Sequence, residues 1–135
     1  MKAFVDANVF LRFLRADDAQ QAKAAAALFE AARARGVELL TGPPVLFEVA
    51  WTLRSVYGCS RAEVLGILES LVAMPGLRLT DRDLVGGALK LARDHGMEFA
   101  DAYIAASTLD AEIKLATFNV KDFKACGVPL RPWAA

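Results

Sequence analysis

Lys2-Ala3-Phe4-Val5-Asp6-Ala7-Asn8 opens the chain with a short apolar run that ends on a carboxylate. Ala3, Phe4 and Val5 read as a strand buried on both faces, the pattern of a central strand in a parallel sheet. Asp6 stands where that strand ends, and in open α/β sheets ligand sites lie just beyond the carboxyl ends of the strands. The plainer reading is that Asp6 or Asn8 caps the helix that follows. Acids farther along the chain weigh toward the first.

Working outward, Val9 to Leu14 is apolar enough for a short buried helix, and Asp17-Asp18 restarts the chain. Ala19 to Arg35 is Ala-rich and helical, with Leu28 and Phe29 on its apolar stripe, and Gly36 ends it. Val37 to Thr41 reads as a second strand. Gly42-Pro43-Pro44 turns it into a helix carrying Glu48, with Val45, Val49, Leu53 and Val56 at helical spacing and Tyr57-Gly58 as its close. Ser60 and Glu63 make a capping box for a helix to about Met74, and Pro75-Gly76 breaks it. Leu77 to Thr80 alternates as a third strand, and Asp81 caps a helix that ends at Gly96. Phe99 to Leu109 is a helix rich in small residues. Lys114 to Thr117 is a fourth strand, Asn119 to Phe123 a tight turn or one-turn helix, and Val128-Pro129-Leu130 a last edge strand. Strands alternate with helices throughout, which predicts an α/β fold with a mainly parallel sheet and right-handed crossovers.

A chain of 135 residues that is 56% hydrophobic fits one domain over 1–135 with a substantial core. Apolar runs are only a handful of residues long and no basic segment leads into one, so neither a membrane span nor a signal peptide is expected, and the expected location is cytoplasmic. Cys59 and Cys126 lack metal-ligand spacing and any redox motif and read as free thiols. Sixteen basic and sixteen acidic residues cancel. That removes the usual signature of a nucleic-acid binder, although an acidic metal site offsets basic residues elsewhere. His95, the only histidine, sits in Arg93-Asp94-His95-Gly96 and reads as a polar helix end.

Acids fall at comparable structural places. Asp6 follows the first strand. Glu48 lies about a turn into the helix after the second, on a side shared with Val45, Trp51 and Thr52, where a charge wants a partner; a solvent-facing helical Glu is the competing reading. Asp101 begins its helix, where the dipole favours an acid, yet Ile104, Ala105 and Thr108 on the same side place it at the rim of a packed face. Thr117, Asn119 and Asp122 cluster past the fourth strand, with helix capping by Asn119 as the alternative.

This pattern resembles the PIN-domain ribonucleases, and among them the VapC-like toxins of toxin–antitoxin modules. The resemblance spans essentially the whole chain. It rests on Phe4-Val5-Asp6-Ala7-Asn8, on Glu48 within Pro44 to Val49, on Asp101 within Phe99 to Ala106, and on Ala116-Thr117-Phe118-Asn119-Val120-Lys121-Asp122-Phe123. It implies a PIN-like three-layer fold with a mainly parallel sheet of four to five strands flanked by helices. It also implies that Asp6, Glu48 and Asp101 are catalytic acids and metal ligands, with the Thr117 hydroxyl supporting the first. Some relatives carry Asp where this chain has Asn119, which leaves Asp122 as the charged candidate for the fourth place and Asn119 as a carbonyl ligand or a holder of metal-bound water. Asn8 joins the supporting residues.

Carboxylates brought together repel one another and need a divalent cation to neutralise them. Oxygen donors without His or Cys suit Mg²⁺ or, as a substitute, Mn²⁺. The expected activity is metal-dependent endonucleolytic cleavage of RNA, with 5′-phosphate and 3′-hydroxyl products implied by the resemblance. Partners implied in the same way are an RNA substrate, a small antitoxin protein lying over the active site, and a second copy in a homodimer. Val9, Phe10, Phe13 and Trp51 read as core residues, with groove or dimer contacts as the alternative. A receiver-like phosphoacceptor would need an acidic pair after the first strand, and Asp17-Asp18 lies too far on. A haloacid-dehalogenase-like phosphatase would need an Asp where Asn8 stands. The remaining alternative is a PIN-fold binding module with lapsed catalysis.

Overall fold

The computed structural model describes residues 1–134. Two compact units divide the chain, Met1–Arg82 and Asp83–Ala135.

The first unit is built on a parallel sheet of three strands among the described residues, in the order β1 (Lys2–Phe4), β2 (Glu38–Thr41), β3 (Leu77–Leu79). Helices α1 (Ala7–Arg15) and α2 (Ala19–Arg33) connect β1 to β2, and α3 (Pro43–Ser55) and α4 (Arg61–Val72) connect β2 to β3. The α/β class and the parallel pairing are as expected. The central strand is β2, not β1. Register places Ala3, Leu39 and Leu77 on one face, where Leu39 is fully buried, and Phe4, Leu40 and Arg78 on the other. Phe4 is 60% exposed, so the first strand is not buried on both faces as its run of apolar residues suggests.

Local chemistry accounts for the helix boundaries. Asp18 accepts the Gln21 N–H at 3.0 Å and starts α2. Phe10 stacks on Phe29 and Phe13 meets the same ring edge-on, which fastens α1 to α2. Pro43 and Pro44 fill the first turn of α3, whose Val45, Leu46, Val49 and Leu53 are buried, while Val56 lies past the helix and is exposed. At α4 both halves of the Ser60–Glu63 capping box form, with bonds of 3.0 and 3.1 Å. Cys59 and Cys126 are free and buried; Arg15 donates to Cys59 Sγ and Cys126 Sγ contacts the Phe123 carbonyl.

The second unit carries α5 (Arg82–His95), α6 (Phe99–Asp110) and α7 (Val120–Ala125). His95 ends α5 as expected, but Asp81 before it adopts φ 54, a left-handed conformation rather than the extended one of an N-cap. The expected fourth and fifth strands reduce to one parallel bridge between Leu115 and Leu130. Leu115 N donates to Pro129 O and Arg131 N to Leu115 O, and there the ladder stops. Pro129 has no N–H to carry the ladder back toward Ile113, and the sheet holds three strands among the described residues rather than four to five. No helix among the described residues is long and apolar enough to cross a membrane.

Candidate functional site

Asp6 occupies the turn from β1 into α1, with φ −84 and ψ 163, and its Oδ1 accepts the Ala7 N–H at 2.8 Å. It therefore caps α1 with one oxygen while remaining exposed at the carboxyl end of the strand. The turn is held from β2: Thr41, fully buried, donates its hydroxyl to the Val5 carbonyl at 3.0 Å. Thr41 escapes a reading of the sequence because it looks like an ordinary strand residue. Asn8 is exposed in the first turn of α1. Glu48 is exposed on α3 next to buried Val49. Its neighbours on the helix divide, with Val45 buried, Thr52 half-buried and Trp51 67% exposed, so Glu48 lies at a boundary rather than on a buried apolar face.

In the second unit Asp101 lies in the first turn of α6, half-buried, with Ala105 and Thr108 buried along its side of the helix and Ile104 45% exposed. This is the rim position expected. Burial raises the Asp101 pKa above its ordinary 3.8, and the charges of Asp122 and Glu98 push it the same way. The structure thus brings Asp101 and Asp122 within electrostatic reach of each other. The Asn119 side chain makes no capping bond to α7; its Nδ2 donates to Asp122 Oδ2 at 3.1 Å. Thr117 Oγ1 accepts the Asn119 N–H at 3.0 Å and so closes the turn before α7. Among the described residues no three of His, Cys, Asp and Glu form a group able to hold a metal ion. Asp101, Asp122 and the Asn119 carbonyl offer only oxygen donors, the chemistry that suits a hard divalent ion.

The raised pKa of Asp101 sets an expected result. An acid whose pKa is raised on folding binds its proton more tightly in the native state, so it lowers stability above the folded pKa and regains it as pH falls toward the unfolded value of 3.8. In chelator at neutral pH and low salt, Asp101→Asn melts at the parent temperature or a few degrees higher, even though the helix dipole loses about 0.3 to 1 kcal/mol. Acidification narrows the gap, because only the parent has Asp101 to protonate. A variant clearly less stable at neutral pH, with a gap independent of pH, would make Asp101 an ordinary first-turn acid.

The residues read as core or contact separate in the structure. Phe10 is fully buried and Val9 half-buried, while Phe13 is 39% and Trp51 67% exposed, so core burial fails for Trp51. A second feature went unread. Phe118 and Trp133 stack, with ring centroids 4.5 Å apart and planes 9° from parallel, and Trp133 Nε1 donates to the Thr117 carbonyl at 3.1 Å. No periodicity links positions so far apart across a turn and a short helix; the one signal was a tryptophan in a polar, proline-flanked tail.

A family model described as PIN domain matches residues 3–127. The chain belongs to the PIN-domain family. Members of that family are generally nucleases. Among solved structures this PIN domain is similar to VapBC2 from Rickettsia felis bound to a DNA fragment from their promoter, at 15% identity over 98% of this chain and 99% of that one, with a TM-score of 0.41. It is similar also to FitAB bound to an IR36 DNA fragment, at 21% identity over 97% and 94% of the two chains, with a TM-score of 0.38. No curated protein sequence matches it.

Proposed function

We propose that this PIN domain is a Mg²⁺- or Mn²⁺-dependent endoribonuclease, the VapC-like toxin of a toxin–antitoxin pair, acting in the cytoplasm as a homodimer held in check by a small antitoxin protein. The observation that carries the catalytic part is the half-buried Asp101 beside Asp122 in a chain of a family of nucleases. The toxin part rests on the motif resemblance in Asp6-Ala7-Asn8, Glu48, Asp101 and Thr117 to Asp122. Residues 1–135 are read as one domain, since the family match runs through both units.

Asp6, Glu48, Asp101 and Asp122 are assigned as catalytic acids and metal ligands, with Thr117, Asn119 and Asn8 in support. A divalent ion at these acids supplies neutralisation of their charge and polarisation of a phosphoryl oxygen. The chain's own part is orientation: the cap bond to Ala7 fixes the Asp6 carboxylate, and the Asn119 amide holds one oxygen of Asp122. Hydrolysis adds water across the P–O3′ bond, with one proton ending on the leaving 3′ oxygen, and yields 5′-phosphate and 3′-hydroxyl ends.

The test is incubation of the purified chain with cellular RNA in Mg²⁺ or in chelator, followed by sequencing of the new ends. Cleavage confined to the Mg²⁺ sample, with 5′-phosphate ends, is expected. No cleavage together with no heat of Mg²⁺ binding would leave a binding module with lapsed catalysis. The fourth acid has its own test. Loss of a supporting hydrogen bond weakens metal binding by about tenfold, so Asp122→Asn should raise the Mg²⁺ needed for half-maximal cleavage by more than that, and by more than Asn119→Ala does. The reverse ranking would transfer the role to Asn119.

A further inference from the structure

Phe118 is 86% exposed and Trp133 55% exposed, yet their rings lie parallel on one another instead of turning into the core. The indole N–H is tied to the Thr117 carbonyl, so the pair is anchored to the turn that carries Asn119 and Asp122. Two further aliphatic side chains of the same unit, Ile113 and Val120, are 58% and 44% exposed. The surrounding segment is charged in one sense. From Lys114 to Trp133, Lys114, Lys121, Lys124 and Arg131 stand against Asp122 alone, in a chain whose net charge is zero. All four basic residues are exposed, and the three lysines form no ion pair among the described residues. An aromatic face presented to solvent among unpaired cations has the two elements with which proteins hold single-stranded nucleic acid: a surface on which a base stacks, and positive charge for the phosphates on either side. Protein interfaces are depleted of lysine, so the three unpaired lysines around the rings favour a nucleic-acid occupant over a protein one.

We propose that the Phe118–Trp133 pair is a stacking platform for a base of single-stranded RNA, which sets the strand beside Asp122 while Lys121 and Lys124 meet its backbone. This rests on the nuclease reading for its purpose, but not for its test. A duplex cannot use the platform, because its bases are already stacked on each other. Uneven stacking among bases then gives a preference at one nucleotide near the cleaved bond, with no hydrogen-bond readout.

The experiment measures binding in chelator, where no cleavage occurs, with a labelled single-stranded RNA oligonucleotide and with its duplex. Trp51→Phe provides a background in which Trp133 is the only indole. The expected results are quenching of Trp133 fluorescence by the single strand, about tenfold weaker binding for Phe118→Ala, recovery with Phe118→Tyr, and poor competition by the duplex. Lys121→Gln should weaken binding and flatten its salt dependence by about one unit of slope, whereas Phe118→Ala leaves the slope unchanged. Because Phe118 is exposed, its truncation does not threaten the fold. Equal affinities for the parent and Phe118→Ala, with Trp133 unquenched, would overturn the platform and assign the pair to a protein contact, even if Mg²⁺-dependent cleavage is found. Binding as expected without cleavage in Mg²⁺ would overturn the nuclease reading and leave the platform standing. Neither binding nor cleavage would overturn both.

Discussion

Asp6→Asn is expected to abolish RNA cleavage and relieve growth arrest, with activity falling by at least about a hundredfold while the melting temperature stays near that of the parent. The two effects separate because Asp6 has two jobs with different chemical demands. Its bond to the Ala7 N–H asks only for an acceptor oxygen, and Asn caps helices as well as Asp does. Neutralising a cation asks for the charge, which Asn lacks. Asp6→Ala removes both and should lose about 1 kcal/mol of stability in addition. Growth on induction and cleavage of a labelled RNA measure the first effect, and a thermal melt the second. If Asp6→Asn cleaves at the parent rate, Asp6 is a cap and nothing more.

The second large effect is structural. Gly76→Ala should lower stability by about 2 to 4 kcal/mol, whereas Gly58→Ala should lower it by about 1. Both glycines have positive φ, 81 and 67, so an L side chain bears the left-handed cost at either place. The difference lies in what surrounds them. Nothing stands within 4 Å of a Cβ built on Gly58, but one on Gly76 would collide with the carbonyl and side chain of Ala32 in α2. Ala32 is buried, and the Gly76 carbonyl accepts the Leu39 N–H at 3.1 Å, so neither the helix nor β3 can move aside without loosening the sheet. Urea denaturation of the two variants reads the gap; equal losses would show that α2 yields to the methyl group.

Where the cause is local, the reading of the sequence held: Ser60 and Glu63 close their box, Pro43 and Pro44 open α3, and Asp6 stands at a strand end. It failed where the outcome depends on groups distant in the chain. Phe4 looks as buried as Val5 until the register with Leu40 and Arg78 assigns it a face. Lys114 to Thr117 has a strand's composition, but its partner contains Pro129, and a ladder cannot grow past a residue without a donor. Asp101 and Asp122 were legible as acids, and their mutual repulsion was expected from the family resemblance; no spacing rule supplies it, since a carboxylate's charge reaches through space. Likewise the capping alternative for Asn119, the commonest use of its type, does not hold for its side chain, which spends its amide on Asp122.

The parallel register has a consequence for how the chain is made. Ala3 pairs with Leu39 and Leu39 with Leu77, so every rung of the sheet joins residues more than thirty positions apart. No hairpin can form first and recruit the rest, and the entropy of closing long loops precedes any reward from pairing. During synthesis β1 leaves the ribosome long before its partner, and the sheet cannot be completed until Leu79 has emerged. Until β2 has emerged the carbonyl before Asp6 has no anchor, because the Thr41 hydroxyl that holds it belongs to the second strand. The nascent chain therefore passes through an interval in which the apolar residues of β1 and α1 lack the sheet they pack with and are exposed to aggregation and to chaperones.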